Sequence, residues 1–333
     1  MAFIVDGSDW KLDGKSTEQV QAAIERFLDA LGDAKDAEVP VWFGETFQVA
    51  PVLEEQIIWD LMSPDSPLPL PTEVWQELTA YLAQALPYTE DQRQPQGFPT
   101  AIDIAIDDGP TEPNQDVAWA HHSVRNGRAV ACIGLWRAGV FNTTSAVATA
   151  SLHWVGTPRS VAEFWREGIN IEGNTLGAFE RLAARAYPAL HFFGNVLHHA
   201  DNFVGGYHAN APNLKRHLAV LNDLGHWAFT AAPPAQDPDD PPGTDGHQPP
   251  DQLVQTRFAR MQVDIAPEHA KVKSDKTCRE AREVTLSGKV LYCEWHCKLQ
   301  GHQNRIHVHR PVTESNDKLV VAIFSEHLPL PGD

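Results

Sequence analysis

The sequence predicts an α+β protein with a mixed N-terminal body, a proline-rich linker and a small C-terminal domain that contains an antiparallel sheet. Helical and strand-like patterns alternate irregularly over residues 1–230, prolines crowd residues 231–251, and short apolar–polar strands follow within 252–333. These three observations define the predicted domains, an acidic body, a linker and a β-rich domain.

Apolar residues at helical spacing predict four helices before the linker, the first of them behind a Ser/Thr cap. The predicted helices are residues 16–31, 72–86, 160–168 and 176–193. Clusters of β-branched and aromatic residues between Gly, Pro and Asn predict strands. The predicted strands are residues 101–106, 130–136 and 146–155. No regular strand–helix–strand rhythm connects these segments, so we expect a mixed α+β body.

Charge is distributed unevenly along the chain. The 333 residues include 26 basic and 44 acidic side chains, which gives a net charge of −18. Residues 1–250 hold 14 basic and 33 acidic residues, whereas residues 251–333 hold 12 and 11, with six of the sixteen histidines. Such an acidic body argues against nonspecific nucleic-acid coating. It favours a basic protein partner, a shield against polyanions, or simple solubility.

The N-terminal residues and the cysteines indicate the compartment. No apolar run approaches the roughly 18 residues that a membrane span needs, and Met1–Asp6 lacks the basic and apolar regions of a signal peptide. Four cysteines are too few for a disulfide scaffold of this length. We therefore expect a cytoplasmic protein with reduced thiols and no membrane partner.

The segment 231–251 is predicted to be an extended linker. It contains seven prolines and almost no large apolar side chains. A segment of this composition buries too little surface to offset the entropy of ordering, so it is not expected to join a core.

Four strands are predicted after the linker. Two of them surround Ser287-Gly288, a hairpin signal, and the second extends to Leu299. Two more cover residues 305–310 and 318–324, separated by Pro311 and polar turn residues. Together they predict a small antiparallel sheet.

Alternation along these strands predicts one polar face. Cys293, Trp295 and Cys297 point to one side of the sheet as core residues, and their neighbours point to the other. The polar rows of two adjacent strands share a face if the apolar rows do. The residues predicted on that face are Glu294, His296, Lys298, Arg305, His307 and His309, with His327 near its rim.

This face suits metal-independent cleavage of RNA phosphodiester bonds, without a cofactor. Histidines are expected to move the proton of the 2′-hydroxyl group and that of the leaving oxygen, because imidazole titrates near neutral pH. Lys298 and Arg305 are expected to bind phosphate and the charged transition state. Glu294 acts as the base in one variant of this mechanism and orients a histidine in another.

Two alternatives remain open. In the first, His307 and His309 bind zinc or manganese with His296 or Glu294 as a third ligand, although nearby Lys298 and Arg305 would repel the ion. In the second, the protein is a non-enzymatic component of a complex, and both the acidic body and the histidine-bearing face are interfaces.

The strands 294–299, 305–310 and 319–324 also resemble the closing strands of RelE-like bacterial toxins, which are ribonucleases that cleave messenger RNA. The resemblance lies within residues 252–333. Arg305 and His327 stand where the family has an Arg in the second strand and a basic or His-bearing end to the last.

The resemblance implies RNA as the substrate and a toxin–antitoxin or antiviral defence setting. The segments Asn304–His307 and Glu326–Pro329 also resemble uncharacterised bacterial proteins found near defence genes. The chain departs from the family in its additional histidines and its long acidic body, so the ribosome dependence of some family members is not carried over.

Overall fold

The structure is a computed structural model of the chain, and it describes residues 1–63, 66–84, 86–87, 102–241, 243, 246–301 and 303–332. The chain forms two compact units, Met1–Ile171 and Glu172–Asp333. Both combine helices with sheets, which confirms the predicted α+β class. Within the described part of the chain, no helix has both the length and the apolar composition that crossing a membrane requires.

The first unit contains ten strands and five helices among its described residues. Its strands are β1 (Ala2–Val5), β2 (Val41–Phe43), β3 (Pro51–Leu53), β4 (Gln56–Ile57), β5 (Leu86–Pro87), β6 (Asp103–Ile106), β7 (Glu112–Pro113), β8 (Val130–Ile133), β9 (Gly139–Ser145) and β10 (Thr149–Val155). Its helices are α1 (Thr17–Asp36), α2 (Glu45–Val49), α3 (Thr72–Gln84), α4 (Gln115–Arg125) and α5 (Pro158–Ile171).

The main sheet of this unit has the strand order β5-β2-β1-β8-β10-β9-β6-β7. Neighbours from β5 to β10 are parallel, and the remaining pairs are antiparallel. Ile4, Cys132 and Trp154 from three adjacent strands lie fully buried in its core. The parallel part was not predicted, because β2 and β5 have only three and two residues and give no strand signal.

The predicted helices of the first 171 residues are confirmed in position. α1 begins with a capping box in which the Ser16 hydroxyl and the Gln19 side chain each accept a backbone N–H bond. Residue 85, inside the predicted helix 72–86, and residue 101, at the start of a predicted strand, lie outside the described residues. Leu86, the last residue of that predicted helix, belongs to strand β5, and the predicted strand 101–106 is found as β6.

The second unit contains five helices and seven strands among its described residues. Its helices are α6 (Leu176–Ala186), α7 (Gly206–Thr230), α8 (Asp251–Arg260), α9 (Ala270–Ser274) and α10 (Lys276–Glu280). Its strands are β11 (Leu190–Phe192), β12 (Ile265–Pro267), β13 (Glu283–Leu286), β14 (Lys289–Tyr292), β15 (Trp295–Lys298), β16 (Arg305–His309) and β17 (Leu319–Ser325).

The main sheet of this unit has the order β11-β17-β16-β15-β12. The pairs among β12, β15, β16 and β17 are antiparallel, while β11 joins the edge of β17 in parallel. The antiparallel arrangement of β15, β16 and β17 was predicted, but β12 was not, and the predicted hairpin strands β13 and β14 form a separate two-stranded sheet. Because β11 follows α6, the prediction of a helix over 176–193 was too long. Pro188 follows Tyr187, which caps the helix at the Ala183 carbonyl, and the chain turns into β11 instead.

The domain boundary predicted at 231–251 was wrong, because this segment lies inside the second unit. Ala232 and Ala235 are buried, and the fully buried Arg257 of α8 donates hydrogen bonds to the carbonyls of Ala228, Ala231 and Ala235. A single guanidinium thus holds the end of α7 and the start of the proline-rich segment together. Residues 242, 244 and 245 of the segment lie outside the described residues.

The hairpin predicted around Ser287-Gly288 is confirmed. Both residues have positive φ angles, +49° and +82°, which tight two-residue hairpin loops require and which glycine adopts without strain. The second strand does not reach Leu299 as predicted. The chain leaves β14 at Tyr292 and enters the main sheet as β15 at Trp295.

Candidate functional site

The register of β15 and β16 places four of the predicted residues on one face of the main sheet. His296 lies opposite His307, and Lys298 lies opposite Arg305. The other face carries Trp295, Cys297, Ile306 and Val308, all fully buried. The alternation predicted from the sequence therefore holds, and we call the set His296, Lys298, Arg305 and His307 the histidine face.

The two histidines of this face are buried. The His307 side chain is 0% exposed and that of His296 is 12% exposed, and their ring centroids lie 5.6 Å apart. Burial lowers the pKa of His296 to about 4, and it lowers the pKa of His307 well below its usual value. Both imidazoles are therefore neutral at pH 7.

A carboxylate faces both imidazoles. Glu268 follows β12, which pairs with β15, and its Oε1 atom lies 3.5 Å from Nδ1 of His296 and 3.9 Å from Nδ1 of His307. The same oxygen accepts a 2.7 Å bond from Nε of the buried Arg282. Arg282 in turn donates to the carbonyls of Cys278 and Pro329, so the guanidinium fixes the carboxylate beside the histidines.

The two cations of the histidine face differ in their partners. Lys298 Nζ lies 3.2 Å from Asp264 Oδ2, and its side chain is 29% exposed. Arg305 has a buried Nη1 atom for which the described residues offer no hydrogen-bond partner. Its positive charge is close enough to lower the pKa of both His296 and His307, although burial is the larger cause. Arg305 thus has donor capacity left for an anionic ligand.

The other three predicted site residues, Glu294, His309 and His327, are not part of this paired set. Glu294 forms an ion pair with Lys273, at 3.4 Å between Oε2 and Nζ. The ring of His309 interacts through Nδ1 with the carbonyl of Arg310, 2.8 Å away. His327 lies exposed beyond the end of β17. Among the described residues, only Glu268, His296 and His307 bring three ligand-type atoms within 4.8 Å of one another.

Glu268 and Arg282 are the residues that sequence reasoning missed. Arg282 precedes the turn of the hairpin predicted around Ser287-Gly288 and has no role in that prediction, and Glu268 lies in a segment without a predicted element. The available signal was slight, a short run Ile265–Pro267 followed by one acidic residue. Only the pairing of β12 with β15 brings this carboxylate to the histidine face.

The four cysteines are free thiols, as predicted. Cys132, Cys278, Cys293 and Cys297 are free and buried. Burial raises the pKa of Cys293 to about 12 and also raises that of Cys297, so both thiols stay protonated at neutral pH. Cys297 packs as a small apolar side chain on the side of the sheet opposite the histidine face, as predicted. Cys293 lies before β15 and packs with Val320 and Ala322 of β17, so the prediction that places it beside Trp295 and Cys297 is corrected.

The first unit also contains a buried polar cluster, at the carboxyl ends of β1 and β8. Asp6 Oδ2 accepts a 2.8 Å bond from the Trp154 indole and contacts Arg137 Nη1 at 3.2 Å. Asp9 Oδ2 accepts bonds from the backbone N–H groups of Trp136 and Arg137. The protein's own donors thus occupy these carboxylates, and we assign the cluster a structural role.

No known protein-family model, curated protein or solved structure matches this chain. The function of the histidine face is therefore inferred from its own geometry and charge.

Proposed function

We propose that the chain is an endoribonuclease and that the histidine face of its second unit cleaves RNA phosphodiester bonds. The observation that carries this proposal is the register of β15 and β16, in which an imidazole pair and a cation pair are direct neighbours on one face. A phosphodiester substrate needs both kinds of group within a few ångströms. The resemblance of these strands to RelE-like toxins favours the same substrate.

Lys298 and Arg305 supply the phosphate-binding half of the site. Arg offers a planar fork of donors that matches two phosphate oxygens, and Lys supplies a point charge. The unpartnered Nη1 atom of Arg305 is consistent with this role, since a buried guanidinium donor costs free energy until an acceptor occupies it. The surrounding chain, −18 overall, would otherwise repel RNA, so local cations are required.

His296, whose side chain is 12% exposed, supplies the reacting half, and the neighbouring His307, which is fully buried, supports its ring. Cleavage requires a group that takes the proton of the 2′-hydroxyl oxygen as this oxygen attacks phosphorus. It also requires a proton for the 5′-oxygen that leaves. A neutral His296 accepts a proton, but with its pKa lowered to about 4 it carries none to donate at pH 7. The predicted metal-independent mechanism therefore needs substrate binding to raise the pKa of His296. A bound cation would stabilise the charge on the leaving oxygen directly, so that no protonated histidine would be needed.

The proposal is tested by cleavage of a labelled mixed-sequence RNA with the full-length chain. We expect Arg305→Gln to reduce the cleavage rate about 10- to 100-fold, because it removes a charge-assisted phosphate contact. Arg305→Lys, which keeps the charge but not the fork, should lie between Arg305→Gln and the wild type.

The matched control for Arg305→Gln is Lys289→Gln. Lys289 is an exposed cation of the same unit that pairs with Glu314, away from the histidine face. The Lys289→Gln variant should cleave the RNA at the wild-type rate. If Arg305→Gln and Lys289→Gln lose cleavage rate equally, the loss reflects the overall charge of the chain and not a contact of Arg305 with phosphate. An RNA that the wild-type chain does not cut would contradict the proposal.

A further inference from the structure

We propose that Glu268, His296 and His307 form a binding site for one divalent transition-metal ion of the zinc type, with an open coordination position for a phosphate oxygen. The ligand set differs from the one that alternation suggested, since Glu268 takes the place predicted for His309. The inference rests on the proposed function and changes the role of its histidines, which hold a metal ion instead of accepting the proton of the 2′-hydroxyl group. The binding of the metal itself does not depend on RNA cleavage.

The distances between the candidate ligand atoms fit a metal centre. Zinc binds imidazole nitrogen and carboxylate oxygen at about 2.0–2.2 Å, so tetrahedral ligand atoms lie roughly 3.4 Å apart. The Glu268 oxygen lies 3.5 and 3.9 Å from the two Nδ1 atoms. Small side-chain shifts would therefore close the shell around an ion.

The unused nitrogen atoms are the independent sign of a ligand. Nδ1 of His296 and both ring nitrogens of His307 are buried, and none of them makes a hydrogen bond of ordinary length among the described residues, although the backbone of Cys293 lies close enough to the His307 ring to favour its charged form. His307 is 0% exposed, so water does not satisfy it from bulk solvent. An unmatched buried polar atom costs about 1–3 kcal/mol, and a metal bound to the imidazoles would remove most of this cost. Metal binding requires neutral imidazole, which is the form that burial enforces here.

Arg282 completes the site from the second coordination sphere. Its 2.7 Å bond holds Glu268 in place, as carboxylate ligands of metals are usually held by outer hydrogen bonds. The guanidinium also compensates the charge of Glu268, so a bound divalent ion keeps about two positive charges. Two imidazoles and one carboxylate disfavour Mg²⁺ and Ca²⁺, which take oxygen ligands, and favour an ion that imidazole binds strongly.

The positive charge of the bound metal ion indicates which ligand its open coordination position would bind. Three protein ligands leave at least one coordination position of zinc for an outside ligand. Arg305 lies on the same face as the two histidines and its charge acts on both, so the open position has a second positive charge nearby. A phosphate oxygen is the ligand that this environment favours, and the metal would stabilise the charge that develops on it during cleavage.

The experiment is metal binding by the full-length chain without a histidine tag. After dialysis against Zn²⁺ and then against metal-free buffer, elemental analysis should find one zinc per chain, and Co²⁺ should give the visible absorption of a low-coordinate site. Glu268→Gln keeps the shape and the acceptor for Arg282, and His307→Gln removes a ring nitrogen. Each is expected to weaken binding at least about 100-fold.

Two further variants separate this ligand set from surface binding. His309→Gln tests the ligand that alternation suggested, and His226→Gln tests an exposed histidine of α7. Both should bind metal as the wild type does. Circular dichroism shows which variants are folded, and His296→Gln, which leaves the Arg282–Glu268 pair intact and changes a side chain that is 12% exposed, keeps the test informative if Glu268→Gln or His307→Gln does not fold.

The outcomes distinguish this inference from the proposed function. No bound zinc in the wild type, or equal binding by wild type and Glu268→Gln, would overturn the metal site. Full-rate RNA cleavage in EDTA would also overturn its catalytic role while keeping the ribonuclease proposal. Stoichiometric zinc with uncut RNA would keep the metal site and contradict the ribonuclease proposal.

Discussion

Replacing Arg282 by Met is expected to lower the free energy of unfolding of the second unit by about 3–5 kcal/mol. The Arg282 and Glu268 side chains are only 2% and 8% exposed, so the change would leave a carboxylate buried without its counter-charge. It would also free the carbonyls of Cys278 and Pro329 from their donor. Denaturant unfolding of the full-length chain measures the loss.

The matched control for Arg282→Met is Arg279→Met. Arg279 pairs with Glu283, but that arginine is 49% exposed, and such pairs contribute about 0–1 kcal/mol. The double variant Arg282→Met with Glu268→Gln should regain part of the stability, because the uncompensated charge is gone. A loss for Arg282→Met no larger than for Arg279→Met would show that the buried pair does not hold this part of the unit.

Replacing Arg257 by Met is expected to cost about 3 kcal/mol and to loosen the proline-rich segment. Arg257 donates to three carbonyls at 2.9 to 3.0 Å, two of them beyond the end of α7. Its guanidinium also lies 4.6 Å from the centroid of the Trp227 ring. Limited proteolysis should cut residues 231–251 faster in the variant, and unfolding should begin at lower denaturant.

Arg260→Met provides the comparison for this second variant. Arg260 also contacts the segment, through Asp237, but both side chains are largely exposed at 43% and 57%. We expect it to change stability by less than about 1 kcal/mol. Similar proteolysis of Arg257→Met, Arg260→Met and the wild type would mean that the segment behaves as the free linker that its composition predicted.

The features that were predicted correctly are those that depend only on residues close together in the sequence. Strand alternation places His296 and His307 on one face without knowledge of the fold, because side chains alternate with a period of two. The turn at Ser287-Gly288 is equally local, since it depends on two consecutive residues with positive φ. The antiparallel sheet followed from these short strands and their turns.

Long-range contacts determine the rest of the site. Glu268 reaches the histidines only because the three-residue strand β12 pairs with β15, and nothing near Glu268 signals that pairing. Composition likewise suggested that residues 231–251 are free, whereas one buried arginine about twenty residues further on binds the start of the segment. Sequence patterns do not predict the burial of a polar side chain when its hydrogen-bond partner lies far away in the sequence.

Strand pairing also limits which of the predicted residues the register aligns. Alternation placed Glu294 and His309 in the patch with His296 and His307, but strand pairing ends before it can align them. Glu294 precedes β15 and pairs with Lys273, and His309 is the last residue of β16 and turns to a backbone carbonyl. The two-residue alternation of side chains therefore predicted the histidine face, and the ends of the paired strands determine which residues are aligned on it.

The central claim is most directly tested by cleavage of a labelled RNA with the full-length chain and two histidine variants. We expect the wild type and His226→Gln, which changes an exposed histidine of α7, to cut the RNA at equal rates. His307→Gln should leave the RNA intact while circular dichroism shows it folded. Cleavage by His307→Gln at the wild-type rate would contradict the account, and so would an RNA that none of the three proteins cuts.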